Sequence, residues 1–312
     1  MKIGNIVLKN NLILAPMAGV TDIAFRSLCV DCGADYAVTE MVSIRALEYH
    51  NEKTLELLRT EDNEAIKVVQ LFGNDPDIFA KVIKMPELQK FDIIDINMGC
   101  PTPKIVNNGA GSSLMKDMAL AKSIIESCVS ATDKPITVKF RSGWDNDSIN
   151  CIEFAKMCES AGAKAITIHA RTREQFYSGK SDWDMVAKLK QSVNIPVILS
   201  GDVVDKDTYL EAVERTGCDA VMIGRGALGN PAVFSEILGL NNTKSTLDFV
   251  KKHIEILQKY YSDNLIVHYM RKHFLWYLKN YRNAKNIKLE IIKLETLEEV
   301  ISLLENFFNN IE

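Results

Sequence analysis

Phe91-Asp92-Ile93-Ile94-Asp95-Ile96-Asn97-Met98-Gly99-Cys100-Pro101 is the stretch on which the reading of the fold turns. Its first half is a short apolar run of strand length, bounded by polar residues. The run then stops. Gly99 permits an unusual backbone angle and Pro101 removes a backbone donor, so a sheet cannot continue through them. A thiol is thereby held where a strand ends. A glycine-rich segment follows it, Asn107-Asn108-Gly109-Ala110-Gly111-Ser112-Ser113.

Working outward, the same pattern of a short apolar run followed by a helix-like segment recurs on both sides. Before it come Leu12-Ile13-Leu14-Ala15, Tyr36-Ala37-Val38-Thr39 and Ile66-Lys67-Val68-Val69-Gln70-Leu71. After it come Ile136–Phe140, Ala165–His169, Pro196–Leu199 and Ala220–Ile223. Amphipathic stretches such as Ser148–Ala161 and Trp183–Gln191 lie between the runs. Strands alternating with helices imply parallel βαβ units. Eight such units in about 230 residues suit a closed (β/α)8 TIM barrel, whose usual length is ~250 residues. An open doubly wound sheet would show a glycine fingerprint opening its first helix. Ala18-Gly19-Val20-Thr21-Asp22 is not one.

The pattern changes after Pro231. Asn241-Asn242-Thr243-Lys244-Ser245 reads as a polar link. Three helical stripes follow: Leu247, Val250, Ile254, Leu257; then Val267, Met270, Phe274, Leu278; then Leu297, Val300, Ile301, Leu304, Phe308. Ser245 with Asp248 and Thr296 with Glu299 resemble capping boxes. The expected organisation is an α/β barrel over residues 1–240 and a small C-terminal helical bundle over 241–312.

Composition bounds the function. Hydrophobic residues make up 47% and charged residues 25% of the 312, which is ordinary for a soluble globular chain. No apolar run reaches membrane-spanning length, and Met1–Asn5 does not open a signal peptide. Seven cysteines at irregular spacing argue against a disulfide framework and for a reducing cytoplasm. Cys29, Cys32, Cys128, Cys151, Cys158 and Cys218 read as buried small hydrophobes. Cys29 and Cys32 form a Cys-x-x-Cys with no second pair, so no metal site is expected. The net charge of −4 does not advertise a polyanion partner, but within Lys251–Lys288 nine basic residues face two acidic ones. A monomer is expected.

In a barrel, active groups sit just past the C-terminal ends of the strands. At those positions stand Met17, Gln70, Asn97 with Cys100, Lys139 with Arg141, His169 with Arg171, Ser200 with Asp202, and Gly224 with Arg225. Ser200-Gly201-Asp202 and Gly224-Arg225-Gly226 combine exposed backbone N–H groups with one guanidinium, and barrels often bind phosphate after their last two strands. The ligand so anchored is a sugar phosphate, a nucleotide or flavin mononucleotide (FMN). Gln70 and Lys139 favour the flavin, since an amide pairs with ring carbonyl and N–H groups and an ammonium stabilises an anionic reduced ring.

Six motifs then carry a resemblance. Ala15-Pro16-Met17-Ala18-Gly19-Val20-Thr21-Asp22, Gln70-Leu71-Phe72-Gly73, Asn97-Met98-Gly99-Cys100-Pro101, Val138-Lys139-Phe140-Arg141, His169-Ala170-Arg171-Thr172-Arg173 and Gly224-Arg225-Gly226 resemble the tRNA-dihydrouridine synthases, most of all the bacterial B subgroup. The resemblance implies an FMN enzyme that reduces the carbon 5–carbon 6 bond of selected tRNA uridines. Hydride would come from reduced FMN, a proton from Cys100, and NADPH would re-reduce the flavin. It places cofactor contacts on Pro16, Met17, Ala18, Gln70, Lys139, His169, Ser200, Gly201, Asp202, Gly224 and Arg225. It places substrate contacts on Asn97, Arg141 and Arg171. Ser200 departs from the asparagine usual in the family, which leaves a backbone contact there but shortens any side-chain reach. A free thiol has a pKa near 8.5, so it keeps its proton at neutral pH and can act as an acid.

The basic tail is the RNA candidate. Lys251, Lys252, Arg271, Lys272, Lys279, Arg282, Lys285 and Lys288 interleave with Tyr260, Tyr261, Phe274, Trp276, Tyr277 and Tyr281. Basic groups hold phosphates and aromatic rings stack on unpaired bases, with Arg271 and Lys272 the first candidates for tRNA. Phe274 lies on an apolar stripe and is expected in the core. Two other readings stand beside this one. The first is an FMN-dependent reductase or dehydrogenase of free pyrimidines, which has no use for a basic tail. The second is a non-catalytic RNA-binding protein, which has no use for Cys100 and Lys139.

Overall fold

The computed structural model describes residues 1–310 and closes the expected runs into one ring. Strands β1 (Lys2–Ile3) and β2 (Ile6–Val7) form a small hairpin. Strands β3 (Leu12–Leu14), β4 (Tyr36–Ser43), β5 (Val68–Phe72), β6 (Ile93–Met98), β7 (Ile136–Arg141), β8 (Ala165–His169), β9 (Val197–Ser200) and β10 (Ala220–Ile223) are parallel neighbours in that order. The ring closes where Val221, Met222 and Ile223 pair with Leu12, Ile13 and Leu14. Strand β4 runs four residues past the expected Thr39, with a register shift between Val38 and Met41 that brings Met41 level with Gln70.

Side chains alternate between the two faces of each strand. Leu12, Leu14, Val69, Leu71, Ile94, Ile96 and Val138 face outward and join the helices in one continuous core. Ile13, Tyr36, Val38, Val68, Ile93, Ala165, Ile198, Ala220 and Met222 face inward and fill the lower barrel. The hairpin plugs that end, with Ile3 and Leu8 buried against the inner cluster. It escaped the sequence reading because its strands are two residues each; its signal is Gly4-Asn5, with Gly4 at φ +58°. The same alternation turns polar higher up. Ile93, Asp95 and Asn97 share one face, as do Thr137, Lys139 and Arg141, so apolar floor gives way to polar mouth.

Past the barrel the helices are Val233–Leu238, Thr246–Gln258, Asp263–Tyr277, Ala284–Ile291 and Leu297–Asn309. Both capping boxes form, on Ser245 with Asp248 and on Thr296 with Glu299. The helix Ala284–Ile291 had no separate sequence signal beyond Ile287 and Ile291. Thr246–Gln258 packs on the barrel helix Ile23–Asp31. There Asp22 caps the barrel helix through Ala24 N–H and Phe25 N–H and also meets His253 Nε2 at 3.2 Å. His273 Nε2 lies 3.1 Å from the other carboxylate oxygen, off the line a hydrogen bond needs. Both imidazoles are buried, so one carboxylate joins the loop after β3 to two tail helices. Among the described residues this is also the one trio of ligand-type side chains with its atoms within 4.8 Å of one another.

Candidate active site

Cys100 sits on the loop that leaves β6, half-buried, while the six other cysteines are buried as expected. The loop is held by Asn97. Its Oδ1 accepts the N–H groups of Gly99 at 3.1 Å and Cys100 at 2.9 Å, and its Nδ2 donates to Gln70 Oε1 at 2.7 Å. Gln70 in turn donates to Asp95 at 2.6 Å, and Asp95 accepts from Thr137 at 2.6 Å. A buried chain of polar groups therefore runs under the thiol across β5, β6 and β7. Every member has a partner, which is what lets such a chain fix one geometry.

The role of Gly99 differs from the expectation. Its φ is not in the left-handed region. It is favoured because a Cβ there would lie 3.2 Å from the Phe140 backbone, a tight contact where β7 passes close behind the loop. Gly111 supplies the unusual angle instead, at φ +61°, and a Cβ on it would lie 2.8 Å from the Cys100 carbonyl oxygen. The glycine-rich segment thus seats the thiol loop from the other side, with Ser112 N–H donating to that carbonyl at 3.0 Å.

Cys100 opens into a cavity of about 750 Å³ at the C-terminal mouth of the barrel. Pro16, Met17, Ala18, Gln70, Asn97, Lys139, Arg141, His169, Ser200, Gly201, Asp202, Gly224 and Arg225 line it together. The lining is cationic. Burial, then the neighbouring Arg141, brings the Lys139 ammonium down to about 8, with Asp95 opposing. Burial chiefly brings Arg141 to about 10. Burial, then Lys139 and Arg141, pushes His169 well below its ordinary value, so the imidazole is neutral at pH 7. Tyr177, which the sequence reading missed, stands over this group. The Arg141 and Arg225 guanidinium carbons lie 5.7 and 5.3 Å from its ring centre. Its only sequence signal was an aromatic side chain in the polar loop after β8.

Arg141 lines the cavity but is also braced by its wall, donating to the carbonyls of Gly99, Thr172 and Phe176 at 2.8 Å each. Arg171 departs further from its expected substrate contact. It is buried and outside the cavity lining. Its guanidinium binds Ser178 O, Ser181 Oγ, Gly179 O and both oxygens of Asp202. This arginine ties the loop after β8 to the turn after β9, and these bonds occupy four of its five N–H donors, inside the protein and away from the cavity. Asp202 correspondingly presents its backbone rather than a free carboxylate. Burial raises its pKa, but the hydrogen bonds from Arg171 and from Ser181 N–H, with the charges of Arg171 and Arg225, together outweigh this and hold the carboxyl below the usual range.

The last two turns form a cradle. Gly201 at φ +127° and Asp202 at φ +61° bend the chain sharply after β9. A Cβ on Gly224 would point between Ala15 Cβ at 3.5 Å and Met17 Sδ at 3.6 Å, into the floor strip that the first loop lines. The exposed Arg225 closes this end with its cation. A planar ring system with a phosphate arm fits such a site, and its volume lies within the ~300–1,000 Å³ of ordinary cofactor pockets.

A profile of the dihydrouridine synthases matches residues 13–312. The chain belongs to the dihydrouridine synthase family. It is 42% identical to a probable tRNA-dihydrouridine synthase of Rickettsia conorii, over 92% of this chain and 90% of that one. It is 39% identical to tRNA-dihydrouridine synthase B of Proteus vulgaris and 37% identical to the same enzyme of Vibrio parahaemolyticus, with 99% or more of each chain covered. The fold also resembles histamine dehydrogenase from Rhizobium sp. 4-9 and a 2-naphthoyl-CoA reductase, each at TM-score 0.61 and 15% identity over 77% of this chain. Against those two larger proteins the chain spans about half the length, 47% and 51%.

Within this family member the tail does less uniform work than its charge suggested. Lys251 pairs with Glu305 at 2.6 Å and Lys252 with Glu255 at 2.8 Å. Phe274 and Tyr277 are core residues, and Tyr260 donates to Glu61. Lys272 instead reaches back to the barrel, where it lines a second cavity with Gly19 and Glu40. Among the described residues no helix is long and apolar enough to cross a membrane.

Proposed function

We propose that the protein is an FMN-dependent tRNA-dihydrouridine synthase of the cytoplasm, with residues 1–240 as its catalytic barrel and the helices beyond as its tRNA-holding part. The observation that carries the reading is the placement of the Cys100 thiol in the same cavity as Lys139 and His169, above a polar chain that fixes it. Bound FMN, re-reduced by NADPH, supplies the hydride that adds to carbon 6 of the uracil ring.

The residues of the chain do the rest. Cys100 Sγ–H gives its proton to carbon 5, so one hydride and one proton are added in total, and the thiolate recovers a proton from water. The thiol donates to Thr102 Oγ1 at 3.4 Å. Asn97 sets the direction of the thiol. Lys139 offers positive charge to the pyrimidine edge of the flavin. Neutral His169 offers a hydrogen bond without a competing charge. The turns at Gly201 and Gly224 with Arg225 hold the phosphate. The polar mouth must receive a single base, so the target uridine leaves its stack, the general solution to this access problem.

The decisive test is chemical. The purified protein should carry FMN, oxidise NADPH, and form dihydrouridine in tRNA from a strain lacking the modification, read by mass spectrometry. Loss of flavin on purification with no reconstitution, or reduction of free uracil in preference to tRNA, overturns the reading.

Lys139 gives a pH signature. Its pKa of about 8 belongs to the protein without a ligand. An anionic flavin raises it, because a nearby opposite charge favours the ammonium. Flavin affinity should therefore be fully present below about pH 8 and fall as the pH rises beyond it, by at most tenfold per unit. Anaerobic titration of the affinity for reduced FMN, whose ring is anionic, from pH 6 to 10 checks this. Lys139→Met should bind FMN weakly and show no such limb.

A further inference from the structure

The loop from Met17 to Asp22 has two sides. Met17, Ala18 and Val20 face the flavin cavity, whereas Gly19, Thr21 and Asp22 face a second cavity of about 570 Å³. That cavity lies between barrel and tail; Asp22, Arg26 and Glu56 also line it but are paired with His253, Glu64 and Arg59, and three further kinds of lining remain. Tyr261 and Tyr269 form an aromatic wall, their rings edge-to-face at 5.1 Å, with Tyr269 44% exposed toward solvent. Glu40 presents a carboxylate, of which Gly19 N–H occupies one position. Lys53 and Lys272 supply cations at the rim.

Each kind of lining answers one part of a nucleotide. An aromatic wall stacks on a base face. Lysines neutralise the phosphate. A carboxylate is an acceptor with about four lone-pair positions. Guanine alone among the four bases presents two adjacent N–H donors, at N1 and N2, on its pairing edge. Adenine and cytosine place a ring acceptor beside their amine, which a carboxylate repels, and uracil offers one N–H between two carbonyls. An apolar ligand would leave Glu40 and the lysines unpaired, and a bare anion would meet the carboxylate.

We propose that this second cavity holds an unpaired guanine of the same tRNA, stacked on the exposed Tyr269 with Tyr261 edge-on beside that ring, and hydrogen-bonded to Glu40. The proposal rests on the reading of the chain as a tRNA enzyme. The two cavities share one loop, so filling the second places the RNA relative to the thiol and contributes to which uridine is reduced. Neither Glu40 nor Tyr269 stood out in the sequence.

The test uses the flavin-loaded full chain. Calorimetric titration with 5′-GMP, 5′-AMP, 5′-CMP and 5′-UMP should show GMP binding at least tenfold more tightly than the others, and Glu40→Gln should abolish that preference. Tyr269→Ala should raise the KM for tRNA about tenfold, within the range of stacking losses of ~1–3 kcal/mol per base. Tyr269→Phe should restore it, and both variants should keep the wild-type rate of flavin reduction by NADPH without RNA. Equal binding of the four nucleotides, preferential capture of NADPH through its adenine, or an unchanged KM in Tyr269→Ala overturns the proposal. Absence of dihydrouridine in tRNA with wild-type protein overturns the underlying reading instead, and GMP preference is measured independently of it.

Discussion

Cys100→Ala should retain FMN and its reduction by NADPH, yet form dihydrouridine more slowly by a factor on the order of 10²–10⁴, the usual worth of a placed general acid. The thiol lines the same cavity but stands on the loop after β6, whereas the turns proposed to hold the phosphate follow β9 and β10, so the substitution removes none of the proposed flavin contacts. The two half-reactions can be read apart. Anaerobic reduction by NADPH follows the flavin absorbance, and mass spectrometry follows the product in tRNA. A fall confined to the second measurement supports proton donation from Cys100. Turnover unchanged in both removes Cys100 from the mechanism. Cys100→Ser should recover little, because a hydroxyl is a far weaker acid than a thiol.

Asn97→Ala should lower dihydrouridine formation on the order of 100-fold with the thiol still present. Its amide makes three hydrogen bonds in the polar chain, to Gly99 N–H, Cys100 N–H and Gln70 Oε1. Removing it frees two backbone donors at the base of the thiol loop and one acceptor on a fully buried glutamine. A displacement near 1 Å at a reacting group is enough for a loss of this order. Asn97→Asp keeps the acceptor for the two N–H groups but cannot donate to Gln70, so it should fall between wild type and Asn97→Ala. The readout is kcat against KM for tRNA. A change in kcat with KM held marks a displaced thiol. Activity within threefold of wild type would mean that Gly111 and the Phe140 backbone hold the loop without Asn97.

The apolar runs were legible because each barrel strand is short, buried and bounded by turn residues. All eight strands form on the expected runs, with β4 extending four residues further and β5 starting two residues later, and both capping boxes form. The hairpin Lys2–Val7 was not legible, since two-residue strands carry no periodicity. The six buried cysteines followed from composition, and Cys100 was set apart by its place at a strand end. The candidate residues at the other strand ends were nameable for the same reason: in a parallel barrel, position along a strand fixes height, and parity fixes the face.

Direction and pairing were decided by the tertiary structure. Arg141 and Arg171 look alike in sequence, each two residues beyond an inward-facing group. The fold gives one to the cavity and locks the other onto Asp202, because a guanidinium binds whichever acceptors its neighbours in space present. Gly99 reads as a flexible position but is a close approach to Phe140. Lys272 reads as one cation among nine, yet the fold turns it toward Glu40 and a second cavity. The sequence by itself determined a barrel, a thiol at its mouth and a basic helical tail, because these depend on residue type and local spacing. Only the tertiary structure decided which of those polar groups remain free to meet a ligand, because partners come from strands and loops far apart in the chain.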